Sequence, residues 1–124
     1  MSDRIRVTII KAEIKSNLDF IGKLDPFVIL NYDGKDYRTK TCQRGGVTPQ
    51  WNQPFEMDSN PSSVFSFKIC DDDTARGDFI GAASLPFEEI RKKLEDYGMA
   101  FLKLRFTGPE YEGTLALEIM KLES

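Results

Sequence analysis

Apolar and polar residues alternate with a period of two along most of the chain. Ile5, Val7 and Ile9 alternate with polar neighbours near the start, and Leu115 and Leu117 do the same near the end. Because successive side chains of a strand point to opposite faces, these segments predict half-buried β-strands. Eight such strands are predicted, at 4–9, 26–32, 35–42, 51–58, 64–70, 79–85, 99–106 and 113–122.

One segment, residues 86–97, follows a helical period instead. Phe87, Ile90 and Leu94 recur at spacings of three and four residues. Pro86 suits the first turn of a helix, and Gly98 suits the position just after its last turn. The segment therefore predicts one short helix.

Turn signals separate the predicted strands. Asp33-Gly34 predicts a two-residue hairpin, and the segments 44–49 and 59–63 are rich in turn-forming residues. Short strands joined in this way predict an all-β fold, an eight-stranded antiparallel β-sandwich with the helix in the connection between strands six and seven. We expect the 124 residues, 1–124, to form a single domain.

Composition excludes several classes of function. The chain contains no histidine, which removes the Ser-His-Asp and Cys-His catalytic arrangements and histidine-rich metal sites. Cys42 and Cys70 are too few for a disulfide scaffold and fit reduced thiols in the cytoplasm. The start of the chain lacks the apolar segment that a signal peptide needs. The net charge of −3 argues against nucleic acid as a partner, and no motif indicates an enzyme.

Five aspartates occur in two short stretches that each follow a strand. Asp19 and Asp25 lie in the first stretch, and Asp71, Asp73 and Asp78 lie in the second. If the two loops meet at one end of the sandwich, their carboxylates repel one another unless a cation is present, and no basic residue is expected between them. Calcium takes six to eight oxygen ligands of this kind, so the pattern indicates a calcium site.

The acidic loops have three other interpretations. Acidic loops are often simply solvated, and this alternative remains open. A helix–loop–helix calcium motif beginning at Asp71 needs glycine at its sixth position and glutamate at its twelfth. This chain has Arg76 and Ala82 at those positions, so this motif is excluded. A carboxylate active site needs acids in distinct surroundings, and nothing in the sequence separates these acids into roles.

Three motifs in order resemble the C2 domain, a calcium- and phospholipid-binding family, over nearly the whole chain. The first is Leu18-Asp19 followed by Asp25-Pro26-Phe27-Val28. The second is Tyr37-Arg-Thr-Lys-Thr41 with Thr48-Pro-Gln-Trp-Asn52, and the third is Cys70-Asp-Asp-Asp73 with Asp78-Phe-Ile-Gly81. The strand order, with an extra strand at the end, resembles the circularly permuted type II topology.

The resemblance implies a set of calcium ligands made of side-chain carboxylates and backbone carbonyls. The carboxylates are those of Asp19, Asp25, Asp71, Asp73 and Asp78, and the carbonyls are those of Leu18 and Asp72. The stretch from Asp73 to Asp78 is one residue shorter than the common family spacing, which leaves the role of Asp78 open. The family's frequent glutamate after Trp-Asn is Gln53 here, and we expect that change to affect packing.

The same loops carry residues suited to a lipid surface. Phe20 and Ile21 lie between two predicted ligands, where they either enter a bilayer or fold back into the core. Burying either side chain yields on the order of 1.5–3 kcal/mol, enough with electrostatics for reversible attachment. Lys23 and Arg76 are placed to meet lipid phosphates.

The resemblance places Lys35, Arg38 and Lys40 in a basic groove that some family members use for phosphoinositides. Ile29, Asn31 and Asp36 stand where further lysines are expected. This face is either a solvated strand surface or a reduced binding patch.

The function that the resemblance implies is calcium-dependent binding to anionic phospholipid membranes, with Ca²⁺ as cofactor and no catalysis. The protein is then cytoplasmic and becomes peripheral to the membrane when calcium binds. The alternative is a calcium-independent domain that binds a protein partner.

Overall fold

A computed structural model describes residues 3–16, 24–72 and 78–122, with the backbone only at residue 78. It contains eight strands and one helix. The strands are β1 Arg4–Ser16, β2 Pro26–Tyr32, β3 Lys35–Arg38, β4 Gln50–Asp58, β5 Val64–Asp71, β6 Asp78–Pro86, β7 Met99–Thr107 and β8 Tyr111–Lys121. The helix, α1, runs over Glu88–Tyr97 between β6 and β7.

The strands form an antiparallel sandwich in the order β3-β2-β5-β6-β7-β8-β1-β4. The first four and the last four strands of this order form two half-sheets, which are joined through the single pair Ala82–Thr107. One apolar core takes buried side chains from both halves, including Phe67 and Leu117. The predicted all-β fold is therefore confirmed, and β1 lies between β8 and β4 in agreement with the permuted strand order.

The first strand is longer than predicted because it contains a β-bulge. Its register with β8 shifts between Ile9 and Lys11, so that Ile10 is the extra residue of that pair. The register with β4 shifts at the same place, but there the extra residue lies on β4, between Gln50 and Gln53. Buried positions are odd-numbered before the bulge, ending at Ile9, and even-numbered after it, at Ala12 and Ile14. The bulge lets one strand of 13 residues keep its apolar side inward along its whole length.

The third strand is shorter than predicted, ending at Arg38 and not at residue 42. The Thr39 N–H donates to the Val28 oxygen at 2.9 Å, but the Thr39 hydroxyl accepts the Val28 N–H at 2.9 Å in place of a backbone carbonyl. The chain resumes contact with β2 at Cys42, whose N–H donates to the Pro26 oxygen at 2.8 Å. The segment therefore still follows β2, although its ladder is irregular.

The prediction that the helix includes Pro86 is wrong, because Pro86 is the last residue of β6 and Phe87 precedes the helix. Ile90 and Leu94 are buried, as their spacing predicts. Gly98 ends the helix in the left-handed region, with φ of 75°, and its N–H donates to the Leu94 oxygen. No helix within the described residues is long and apolar enough to cross a membrane.

Candidate metal centre

The register of the strands brings three of the predicted aspartate ligands close together along the backbone. Asp71, at the end of β5, pairs with Pro26 on β2 and with Asp78 on β6. Asp25 directly precedes Pro26. Since neighbouring strands lie about 4.8 Å apart, Asp25, Asp71 and Asp78 start from adjacent points at one end of the sandwich.

Hydrogen bonds connect the two acidic segments directly. The Asp25 N–H donates to Asp71 Oδ1 at 2.9 Å, and the Asp72 N–H donates to the Asp25 carbonyl at 2.9 Å. Asp71 is only 7% exposed. The meeting of the two stretches, which the sequence could only suggest, is therefore observed at these residues.

A third segment, the connection from β3 to β4, completes this end of the molecule. The Arg44 N–H donates to Asp25 Oδ1 at 2.6 Å, and the Gly46 N–H donates to the Leu24 oxygen at 3.0 Å. Sequence reasoning did not assign Arg44 a role, because the group that contacts Asp25 is its backbone amide and not its side chain. The only available signal was the turn-rich composition of residues 44–49.

A basic residue accompanies Asp72, which is not one of the five predicted carboxylate ligands. Its Oδ2 atom accepts a hydrogen bond from the Thr41 hydroxyl at 2.7 Å and lies 3.5 Å from the Arg38 guanidinium. Arg38 also stacks over the Phe27 ring, 3.8 Å from its centroid. The Asp72 carboxylate is thus directed to β3 and its extension.

The groove residues singled out in the sequence are partly engaged with one another. Asn31 Nδ2 donates to Asp36 Oδ1 at 2.8 Å, across the β2–β3 pair. Gln53 accepts the Lys40 N–H at 2.8 Å, so the side chain that replaces the family's glutamate ties β4 to the extension of β3. This contact fits the expectation that Gln53 serves packing.

Several predicted residues lie outside the described part of the chain. They are Leu18, Asp19, Phe20, Ile21, Lys23, Asp73 and Arg76, together with the side chain of Asp78. Within the described residues, no group of three acidic, cysteine or histidine side chains is close enough to hold a metal. The full ligand set therefore stays a prediction.

The carboxylate oxygens described at this end are suitable ligands for a cation that binds oxygen. Asp25 and Asp71 each use one carboxylate oxygen to accept a backbone N–H, which fixes the position of the carboxylate. Burial raises the pKa of the neighbouring Cys70 thiol, and the charges of Lys68 and Arg38 only partly offset that effect. Hard carboxylate oxygens without a thiolate are the ligands that calcium prefers.

The C2 domain family model matches residues 3–100 of this chain. The chain therefore belongs to the C2 domain family, which is generally a non-catalytic module. Over 90 residues it is 33% identical to the E3 ubiquitin-protein ligase pub3 of Schizosaccharomyces pombe, covering 70% of this chain and 12% of that protein. The chain thus spans about an eighth of that curated relative.

Two solved structures share the fold. A C2 domain-containing protein from a putative elicitor-responsive gene matches with a TM-score of 0.80 and 23% identity, over 99% of this chain and 90% of the other. The calcium-bound tandem C2 domains of extended synaptotagmin 2 match with a TM-score of 0.76 and 19% identity, over 97% of this chain and 45% of the other. At these identities the likeness concerns the fold.

Proposed function

We propose that this domain binds anionic phospholipid membranes in a calcium-dependent manner and has no catalytic activity of its own. The observation that carries the proposal is the direct link between the acidic segments, in which the buried Asp71 carboxylate accepts the Asp25 N–H at 2.9 Å. Family membership supports it, as does the calcium-bound state of one structural neighbour. On calcium binding the protein is then peripheral to the cytoplasmic face of a membrane.

In this proposal Asp25 and Asp71 hold the ion together with the predicted ligands Asp19, Asp73 and Asp78 and the carbonyls of Leu18 and Asp72. Calcium, when bound, supplies positive charge and open coordination positions for lipid phosphate oxygens. Two ions carry four positive charges, which exceeds the net charge of −3. Without them, the acidic end is repelled by the negative surface of an anionic leaflet.

Two experiments test the proposal. Vesicles containing phosphatidylserine should sediment the protein in calcium and leave it in solution with a chelator. Calcium at about 100 times its Kd should also raise the free energy of unfolding by about 2.7 kcal/mol, seen as a higher melting temperature. Asp25→Asn and Asp71→Asn should abolish both effects.

The matched control is Asp96→Asn, which removes an acid from α1, where Asp96 pairs with Lys92 at 3.5 Å. This variant should sediment and melt as the wild type does. Equal sedimentation in calcium and chelator, with no calcium-dependent change in melting temperature, would refute the proposal.

A second candidate is a calcium-independent domain that binds a protein partner. The observation that favours it is that the described acids already have protein partners, namely Arg44 for Asp25 and Arg38 with Thr41 for Asp72. It predicts a melting temperature that is the same in calcium and in chelator.

A further inference from the structure

Asp72 makes three contacts with neighbouring segments, although it is an exposed turn residue. Its N–H donates to the Asp25 carbonyl at 2.9 Å, and its Oδ2 atom accepts the Thr41 hydroxyl at 2.7 Å. The same oxygen lies 3.5 Å from the Arg38 guanidinium. The start of the second acidic loop is therefore fixed to Asp25 on one side and to the extension of β3 on the other.

Arg38 is itself positioned by two further features. It pairs with Ile29 at the end of β3, which sets its backbone beside β2. Its guanidinium lies over the Phe27 ring at 3.8 Å, a contact in which a planar cation is attracted to the ring face. A side chain held by a ring and a carboxylate together has a defined place at the acidic end.

We propose that Arg38 is a resident counter-cation of the acidic end, pairing with Asp72 when calcium is absent and opposing calcium when it arrives. The calcium part of this inference rests on the proposed function, whereas the pairing with Asp72 does not. Arg38 is a positioning residue in this role, since it acts through Asp72 and through its charge and does not hold the ion. The same contacts hold the Arg38 guanidinium against Asp72 and the Phe27 ring.

The effect is moderate and depends on salt. The side chains of Arg38 and Asp72 are 53% and 42% exposed, so water and ions screen the pair strongly. A single positive charge near a divalent ion in such surroundings weakens binding by roughly two- to five-fold at low salt. At about 0.5 M salt this difference should nearly vanish, because charges separated by more than a few ångströms are then screened.

A double-mutant cycle in chelator tests the pairing. Arg38→Gln should lower the melting temperature of the calcium-free protein by a few degrees, and Asp72→Asn should change it less because it also relieves repulsion among the acids. In the double variant, Arg38→Gln should produce little further decrease, since its partner is already absent. If the decrease in melting temperature of the double variant equals the sum of the two single decreases, Arg38 and Asp72 are not coupled and the pairing is overturned.

Calcium titration by calorimetry at low salt tests the second half. Arg38→Gln should tighten calcium binding about two- to five-fold, and Arg38→Lys should restore the wild-type affinity because it retains the charge. Lys40→Gln is the matched control, since it removes the same charge two residues further along the same segment, and its effect should be smaller. A role limited to holding the fold predicts weaker calcium binding for Arg38→Gln at every salt concentration, and that result would overturn the proposal.

The two halves can fail separately. If the wild-type protein takes up no calcium, the proposed function and the calcium half of this inference fall together. The melting cycle in chelator still decides whether Arg38 and Asp72 are coupled, because no calcium is present in it.

Discussion

At the residue scale, Tyr32 shows how a polar group is satisfied inside the core. Its hydroxyl donates to the Asn60 oxygen at 2.8 Å and accepts the Asn60 N–H at 2.7 Å. Its ring stacks on Phe65, with centroids 4.0 Å apart and an interplanar angle of 7°. Burial raises the pKa of Tyr32 above its ordinary value of 10.0, and the charge of Asp33 raises it further, although the bond with Asn60 acts in the opposite direction.

This pKa predicts a loss of stability at alkaline pH. Because the folded pKa lies above the unfolded value, the stabilisation is fully present below about pH 10 and is lost as the pH rises through the folded pKa. The free energy of unfolding, measured by urea between about pH 8 and about pH 11, should fall more steeply in the wild type than in Tyr32→Phe.

Tyr32→Phe is the control because it lacks the titrating group but keeps the ring. It should be less stable by about 1–3 kcal/mol at neutral pH, since both Asn60 backbone groups lose their partner. Parallel pH profiles for the two proteins would contradict the prediction.

Residue types at the candidate site were easier to predict from the sequence than their partners. Asp25 and Asp71 stand out because they lie at the ends of apolar strands, and the structure joins them. The bond from Thr41 to Asp72 links residues 31 positions apart, and no local pattern encodes such a contact. The alternation did place Thr39 and Thr41 on the same side of the segment as Tyr37, and Thr39 is indeed buried at 2% exposure.

At the scale of elements, periodicity predicted which segments are strands, but their ends depended on tertiary contacts. β3 ends early because the Thr39 hydroxyl replaces a backbone acceptor in the ladder. β1 extends to Ser16 because the bulge at Ile10 resets its alternation. Adjacent apolar residues Ile9 and Ile10, followed by apolar positions of the opposite parity, were the signal for that bulge.

Two glycines, Gly113 within β8 and Gly98 at the end of α1, predict distinct kinds of destabilisation. A Cβ at Gly113 would overlap the Glu13 carbonyl oxygen and lie 2.9 Å from the Phe106 ring, because β8 passes closely between its neighbours there. Gly113→Ala should therefore reduce the free energy of unfolding by at least about 2 kcal/mol.

Gly98→Ala is the comparison, since a Cβ at Gly98 has nothing within 4 Å. Only its φ of 75° disfavours alanine, so the loss should be about 1 kcal/mol. Urea denaturation of the two variants measures both values. A loss at Gly98 equal to or greater than that at Gly113 would show that β1 and β8 do not approach so closely.

At the scale of the whole molecule, the two ends of the sandwich differ in chemistry. The acidic end carries Asp25, Asp71 and Asp72, and the predicted membrane residues Phe20 and Ile21 lie outside the described part of the chain. Among the exposed aromatic side chains in the described part of the chain, Phe79 at 39% exposure follows Asp78 at the acidic end, whereas Phe101 on β7 at 55% and Tyr97 on α1 at 77% lie elsewhere. Exposed apolar area alone therefore does not identify the face that meets a membrane.

This difference predicts the orientation on a bilayer. Replacing Phe20 and Ile21 by Ala should reduce sedimentation with phosphatidylserine vesicles at least tenfold, because each buried side chain contributes on the order of 1.5–3 kcal/mol. The calcium affinity in solution should stay unchanged. Phe101→Ala is the control and should bind vesicles as the wild type does; a loss confined to that variant would place the lipid surface on β7.

The pairing of β1 with β8 also determines where a label, an anchor or another domain can be attached. Ile5 pairs with Lys121, so the chain enters and leaves the described fold side by side. The 13 residues of β1 separate this point from the acidic loops by about 40 Å. In the proposed orientation, a fluorophore, a surface anchor or a second domain joined at either position would lie on the side away from the bilayer. Two fluorophores attached at these positions would lie close enough together for energy transfer between them.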